Sequence, residues 1–234
     1  MRRYRLQPLR ELADILFPRH CLHCGQLLVG DERFLCTHCW LHLPRTHNAA
    51  VSDNETEQHF QAHREVTTAM SLLHFFPDSA SRDIIHHIKY RGARKLALSM
   101  GKMIGEQLVD SGRFASVDLL VPVPLHPKRE RQRGYNQSEL LCRGIAQVLQ
   151  RPVSIGNLVR TVNTESQTHK TAEERKENVN GVFQVRKPEK YRGRHILLVD
   201  DVITTGSTTA ACCDALRKAG VTHISIASLA LASS

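Results

Sequence analysis

The chain predicts an α/β fold: a parallel sheet flanked by helices, with a small four-cysteine module before it. Three observations lead there. First, Ile196-Leu197-Leu198-Val199 is a wholly apolar run that ends in Asp200-Asp201 and continues through Val202-Ile203-Thr204-Thr205-Gly206-Ser207-Thr208 into a helical pattern. Parallel strands covered on both faces read as continuous Val/Ile/Leu rather than as alternation. Second, further strand-like segments at 67–76, 117–123 and 221–231 are separated by segments of helical pattern. Third, Cys21-Leu22-His23-Cys24 and Cys36-Thr37-His38-Cys39 form a C-x2-C-x11-C-x2-C pattern.

The elements follow in order. Leu9, Leu12, Ala13 and Leu16 fall at helical spacing, and Leu6-Gln7-Pro8-Leu9-Arg10-Glu11 interrupts any signal-peptide core. No stretch approaches the ~20 apolar residues of a membrane span, so a cytoplasmic protein is expected. The cysteine pairs are spaced for two tight knuckles around one tetrahedral ion, the second brought back by a hairpin. Gly25 stands where a knuckle often needs positive φ. One structural Zn²⁺ per chain on Cys21, Cys24, Cys36 and Cys39 is expected. Two disulfides, which a reducing compartment disfavours, and iron–sulfur ligation are the alternatives. Four thiolates leave no vacant position, so the role is folding rather than catalysis. His20, His23, His38 and His42 read as neighbours of the site rather than ligands. The expected organisation is residues 1–45 as the short helix and metal module, 46–66 as a linker without apolar periodicity, and 67–234 as the main domain.

Within that domain, Ile84, Ile85 and Ile88 share a helical face that ends near Lys89-Tyr90-Arg91-Gly92. A second helix over 93–109 turns Leu96, Met100, Met103, Ile104 and Leu108 inward. The strand at 117–123 stops at Pro122-Val123-Pro124, since proline cannot continue a central ladder. A basic segment follows, with Arg129, Arg131 and Arg133 between His126 and Gly134, and a helix is expected to start near Tyr135. Residues 160–181 are a long polar stretch, the usual composition of a lid or a disordered loop. Ser207 or Thr208 can cap the last helix and Gly220 can close it. Cys142, Cys212 and Cys213 have small or apolar helical neighbours and read as buried, inert thiols.

The chemistry concentrates at the ends of strands. Ligands of open α/β sheets sit beyond the carboxyl ends of the strands, and a Gly/Ser/Thr loop at a helix start offers amides to an anion. Asp200 and Asp201 cannot hold phosphate, but they suit vicinal hydroxyls or a metal ion. Phosphate beside a diol describes a 5-phosphoribosyl group. The arginines after the 117–123 strand form an anion site if they point inward. The net charge of +9 favours phosphorylated or polyanionic partners without choosing among them.

The run from Ile196 to Thr208 resembles the fingerprint of type I phosphoribosyltransferases, which bind phosphoribosyl pyrophosphate (PRPP). The resemblance implies a ribose- and phosphate-binding set of Asp200, Asp201, Val202, Thr204, Thr205, Gly206, Ser207 and Thr208. With Ile88-Lys89-Tyr90-Arg91-Gly92, Val121-Pro122-Val123-Pro124-Leu125, Arg133-Gly134-Tyr135-Asn136-Gln137-Ser138, Ser166-Gln167-Thr168 and Arg175-Lys176-Glu177-Asn178-Val179, the chain is similar to the ComF family. That family joins an N-terminal zinc module to a type I phosphoribosyltransferase-like domain. The resemblance implies PRPP with Mg²⁺, and a part in natural transformation with single-stranded DNA and DNA-uptake or recombination proteins as partners. Lys89, Arg129, Arg131 and Arg133 are the candidates for pyrophosphate; Asp200, Asp201 and Arg175 are the catalytic candidates. Whether the chain transfers phosphoribose to an acceptor or only binds it stays open. Aromatic residues are 5% of the chain and scattered, so a stacking platform for single strands is thin, and the DNA role rests on the resemblance.

Overall fold

The computed structural model describes residues 17–161 and 182–232. Four parallel strands form one sheet: β1 (Val66–Phe75), β2 (Leu119–Pro122), β5 (His195–Ile203) and β6 (His223–Ala232), in the order β1-β6-β5-β2. Short β3 (Leu158–Arg160) and β4 (Phe183–Val185) pair antiparallel beside it. The helices are α1 (Thr37–Leu41), α2 (Glu55–Gln58), α3 (Ala80–Tyr90), α4 (Arg94–Ser111), α5 (Pro127–Arg133), α6 (Gln137–Leu149) and α7 (Ser207–Lys218). A 3₁₀ turn covers Pro188–Lys190.

Ile196 to Val199 are fully buried because β5 is central and both its faces are covered. Side chains alternate across a strand. Leu197 and Val199 therefore join Ile84, Ile88, Met100, Ile104, Leu141 and Ile145 in one core. Ile196 and Leu198 join Tyr191, Cys212, Cys213 and Leu216 in the other. The sequence pattern thus matches a sheet with a core on each side. Helices α4 and α6 meet at Gly101 and Gly144. A Cβ on Gly144 would lie 2.4 Å from the Leu98 carbonyl oxygen and 2.8 Å from the Gly101 Cα.

The basic segment after β2 folds as a helix over Pro127–Arg133. His126 Nδ1 accepts from the Lys128 amide at 3.2 Å, Pro127 sits in the first turn, and Gly134 closes the helix at φ 76°. This is the proline-first, glycine-last asymmetry of helix ends. The helix buries none of its residues, so no apolar period marks it. The next helix accordingly begins later, at Gln137, with Asn136 as its cap. The second cysteine knuckle opens a helix rather than riding on a hairpin, with Cys36 capping α1.

The polar stretch before β1 is built into the core. The Asn54 amide group donates to the carbonyls of Asn48 (3.2 Å), Val51 (2.8 Å) and Ala69 (2.9 Å), while its oxygen caps α2. Asn48 donates to Thr56, Thr56 to Ser71, and Ser71 meets Ser228 at 2.7 Å. Asn48, Asn54, Thr56, Ser71 and Ser228 are all buried. Buried polar groups stay stable only when bonded in this way, and the chain of bonds fastens this segment to β1 and β6.

Candidate functional site

The carboxyl end of β5 treats its two acids differently. Asp200 is 8% exposed. Its carboxylate accepts from the Asp201 amide (2.8 Å), from Thr209 of α7 (3.2 Å) and, at 3.4 Å, from Ser138 of α6. Burial, then the neighbouring Asp201 charge, raises the Asp200 carboxyl to about 7 against those donors. Asp201 is half-buried, and its Oδ2 lies 3.1 Å from the Lys89 Nζ at the end of α3. Sequence reasoning treats the acids as one pair. The structure makes Asp201 the more accessible acid, paired with Lys89, and Asp200 the brace between β5, α6 and α7. Ser138 and Thr209, which hold that brace, were missed as functional residues. Ser138 closes one of the quoted motifs, yet nothing in its residue type announces a carboxylate partner.

Beyond Ile203, which is buried, the chain turns sharply. Gly206 takes φ 73° at the start of α7, a conformation glycine adopts freely. It packs on the α2 side of the molecule, where an added Cβ would come 3.4 Å from Phe60 Cε1. Val202 is half-buried, and Thr204, Thr205, Ser207 and Thr208 are exposed. The Ser207 amide donates to Thr205 Oγ1 at 3.4 Å, and the Thr205 and Ser207 hydroxyls meet at 3.0 Å. The loop therefore presents hydroxyls beside the amides and positive dipole end of a 12-residue helix.

A cleft of about 440 Å³ opens nearby, lined by Lys89, Tyr90, Gly92, Arg129, Gln132 and Arg133. Three of the four pyrophosphate candidates thus share one hollow. Arg131 does not line it; its Nε turns back to the Pro127 carbonyl at 3.3 Å. Lys89 joins the cleft to the sheet, because it also pairs with Asp201. Gly134 turns the chain after α5, and Tyr135 anchors that turn by donating its hydroxyl to the Ile88 carbonyl. Arg175 and Gln167 lie outside the described residues.

At the other end of the chain, the sulfurs of Cys21, Cys24, Cys36 and Cys39 all lie within 4.8 Å of one another. The Cys39 amide donates to Cys36 Sγ at 3.5 Å. Burial raises the Cys21 thiol, but amide hydrogen bonds from Cys24, Cys36 and His23 outweigh it and bring it down to about 6. Gly25 takes φ 73° in the first knuckle, as its position suggested. Four convergent sulfurs with backbone donors aimed at them suit a tetrahedral Zn²⁺. Among the described residues no histidine joins the set: His23 faces Asp83 at 2.9 Å, and His42 bonds the His38 carbonyl at 2.8 Å. Cys142, Cys212 and Cys213 are buried among apolar groups, which raises their thiols and keeps them protonated.

Comparison with known proteins agrees with both halves. Residues 137–234 match the family model of the phosphoribosyl transferase domain, and residues 12–50 match that of the double zinc ribbon domain. Competence protein F of Haemophilus influenzae is 32% identical over 227 residues, covering 92% of this chain and 98% of the relative. DNA utilization protein YhgH of Escherichia coli K12 is 29% identical over 209 residues, covering 88% and 87%. Competence protein ComFC of Bacillus subtilis is 41% identical over 90 residues, covering 38% and 34%. Among solved structures, glutamine PRPP amidotransferase from B. subtilis aligns with a TM-score of 0.43 at 17% identity, covering 61% of this chain and 30% of that one. No helix among the described residues is long and apolar enough to cross a membrane.

Proposed function

The chain belongs to the ComF family, and from that premise we propose that it binds PRPP at the carboxyl end of β5 and handles single-stranded DNA in the cytoplasm during DNA uptake. The observation that carries the PRPP reading is convergence. A phosphate-type loop (Thr204–Thr208) follows β5, Asp201 near the end of that strand pairs with Lys89, and Lys89 lines a cationic hollow with Arg129 and Arg133. In this reading the loop amides take the 5′-phosphate and Asp201 accepts from the ribose hydroxyls. The hollow takes the pyrophosphate. Mg²⁺, which favours oxygen ligands and keeps several waters, would neutralise pyrophosphate charge, and Asp201 is the protein carboxylate offered to it.

The DNA half is supported by the relatives named for competence and DNA utilization and by the chain's net charge of +9. A second reading, transfer of phosphoribose to an acceptor, is favoured by the position of the cations. In that reaction the C1–O bond to pyrophosphate breaks, its electron pair leaves with the pyrophosphate, and the acceptor's lone pair forms the new bond to C1. Lys89, Arg129 and Arg133 would stabilise the charge that grows on the leaving group.

Calorimetry with Mg²⁺ and PRPP tests the first reading. One site per chain is expected, and Asp201→Ala weakens it at least tenfold; equal affinity in the variant removes the ribose assignment. Pyrophosphate release stimulated by a nucleobase or amine would establish transfer, and its absence across the common bases would leave a binder. DNA affinity should fall with salt, with a slope near the number of phosphates neutralised; a flat response removes the basic cleft from the DNA reading.

A further inference from the structure

Tyr90 is the residue the PRPP reading does not use. It ends α3 and is 65% exposed, whereas Tyr191 is sealed in the core. The exposure is unusual in its setting. Arg133 sits over the ring, 5.4 Å from its centre, and the His86 ring lies 5.2 Å away on the same helix. Arg91 and Lys95 are exposed on either side of Gly92. The same ring lines the cleft that Lys89, Arg129 and Arg133 make cationic. An exposed aromatic ring against a guanidinium, at the rim of a basic groove, is how proteins hold single strands: bases stack on the ring and cations track the backbone. The end of α3 and the last turn of α5 bring the Tyr90 ring, the His86 ring and Arg133 together.

We propose that a single-stranded DNA lays one base on Tyr90 with its phosphates on Arg129 and Arg133, so that strand and pyrophosphate compete for the same cations. The inference rests on the reading above and deepens it: the two ligands exclude one another at one cleft instead of occupying separate surfaces. PRPP then acts on DNA affinity by direct competition, with no conformational change required.

The test is fluorescence anisotropy with an end-labelled oligodeoxythymidylate on the full zinc-loaded chain at constant ionic strength. Tyr90→Ala weakens strand binding by roughly tenfold, the scale of one lost base–aromatic stack, and Tyr90→Phe retains it because the ring and not the hydroxyl carries the contact. Tyr90 is exposed, and unchanged circular dichroism confirms that the variant is folded. Saturating Mg²⁺ and PRPP releases the oligonucleotide, and so does inorganic pyrophosphate, while potassium sulfate at equal ionic strength does not. Strand binding that is indifferent to Tyr90→Ala, or that persists beside saturating pyrophosphate, overturns the inference and leaves the PRPP site standing. A wild-type chain that binds no oligonucleotide overturns both the DNA reading and the inference. Because pyrophosphate needs neither the phosphate loop nor Asp201, its arm judges the shared cations even if PRPP itself fails to bind.

Discussion

Asp200 and Asp201 are adjacent in sequence and chemically identical, yet they meet different surroundings. Asp201 pairs with Lys89, which lines the cleft, and Asp200 is enclosed by Ser138, Thr209 and the next amide. The burial of Asp200 has a sign that can be measured. Its carboxyl stands at about 7 in the folded chain, against roughly 3.9 when unfolded. Between those values the folded state holds the proton and the unfolded state does not. Stability from this group is therefore complete below about pH 4, declines as pH rises, and is lost above about pH 7. Asp200→Asn keeps an oxygen for the Asp201 amide and needs no charge. It is expected to melt higher than the parent at pH 8, by an amount on the order of a few kcal/mol, with the gap closing toward pH 4. A gap independent of pH in thermal melts would contradict this. Lys89→Ala should weaken PRPP binding by roughly tenfold, since it removes a cation from the cleft and the partner of Asp201; unchanged calorimetry would take Lys89 out of the site. The sequence announces both acids through the apolar run before them. It does not announce which one pairs with Lys89, because that depends on helices docked from distant segments.

At the scale of elements, continuous hydrophobicity and helical period locate the buried pieces well. The central strand, the paired helices α3 and α4, and the helix after Gly206 all lie where their patterns indicate, although Gly206 itself is the N-cap and neither Ser207 nor Thr208 caps the helix as expected. Elements without an apolar face are less legible. Helix α5 has no buried residue, and the β3–β4 ribbon has only three residues in each strand. Their signals are end chemistry and tertiary pairing rather than period. Glycine inside helices is also ambiguous in sequence. Gly101 and Gly144 lie inside α4 and α6, where they let the two backbones touch. Gly144→Ala drives a methyl group onto the Leu98 carbonyl and the Gly101 Cα, and backbone cannot swing away. A loss of roughly 1–3 kcal/mol is expected, read as a lower denaturant midpoint. Because α6 carries Ser138, PRPP affinity should fall as well. A variant with an unchanged midpoint would show that the helices part without cost.

For the molecule as a whole, the cysteine spacing describes the metal centre but not how it is seated. Cys21, Leu28, Leu35, Cys36, Cys39 and Leu43 belong to the same core as Ile84, Met100 and Leu141, and His23 bonds Asp83 of α3 at 2.9 Å. The zinc ribbon therefore reinforces the helical layer from which α3 presents Lys89 and Tyr90. Cys24→Ser is expected to release the zinc and lower the melting temperature of the whole chain in one transition. Two separate transitions, with the later one unmoved, would make the ribbon an independent appendage. The polar stretch before β1 carries a similar lesson. Its composition resembles a solvated connection, but Asn54 and Thr56 are sealed within it, because a hydrogen-bonded network can be buried as readily as an apolar one.

The central claim concerns one sheet end, and a crystal structure of the zinc-loaded chain with Mg²⁺ and PRPP tests it most directly. The account expects the 5′-phosphate on the amides of Thr204–Thr208, the ribose hydroxyls within hydrogen-bond distance of Asp201, and the pyrophosphate between Lys89, Arg129 and Arg133. Clear density for PRPP at another surface, or an empty sheet end at saturating ligand, would contradict it.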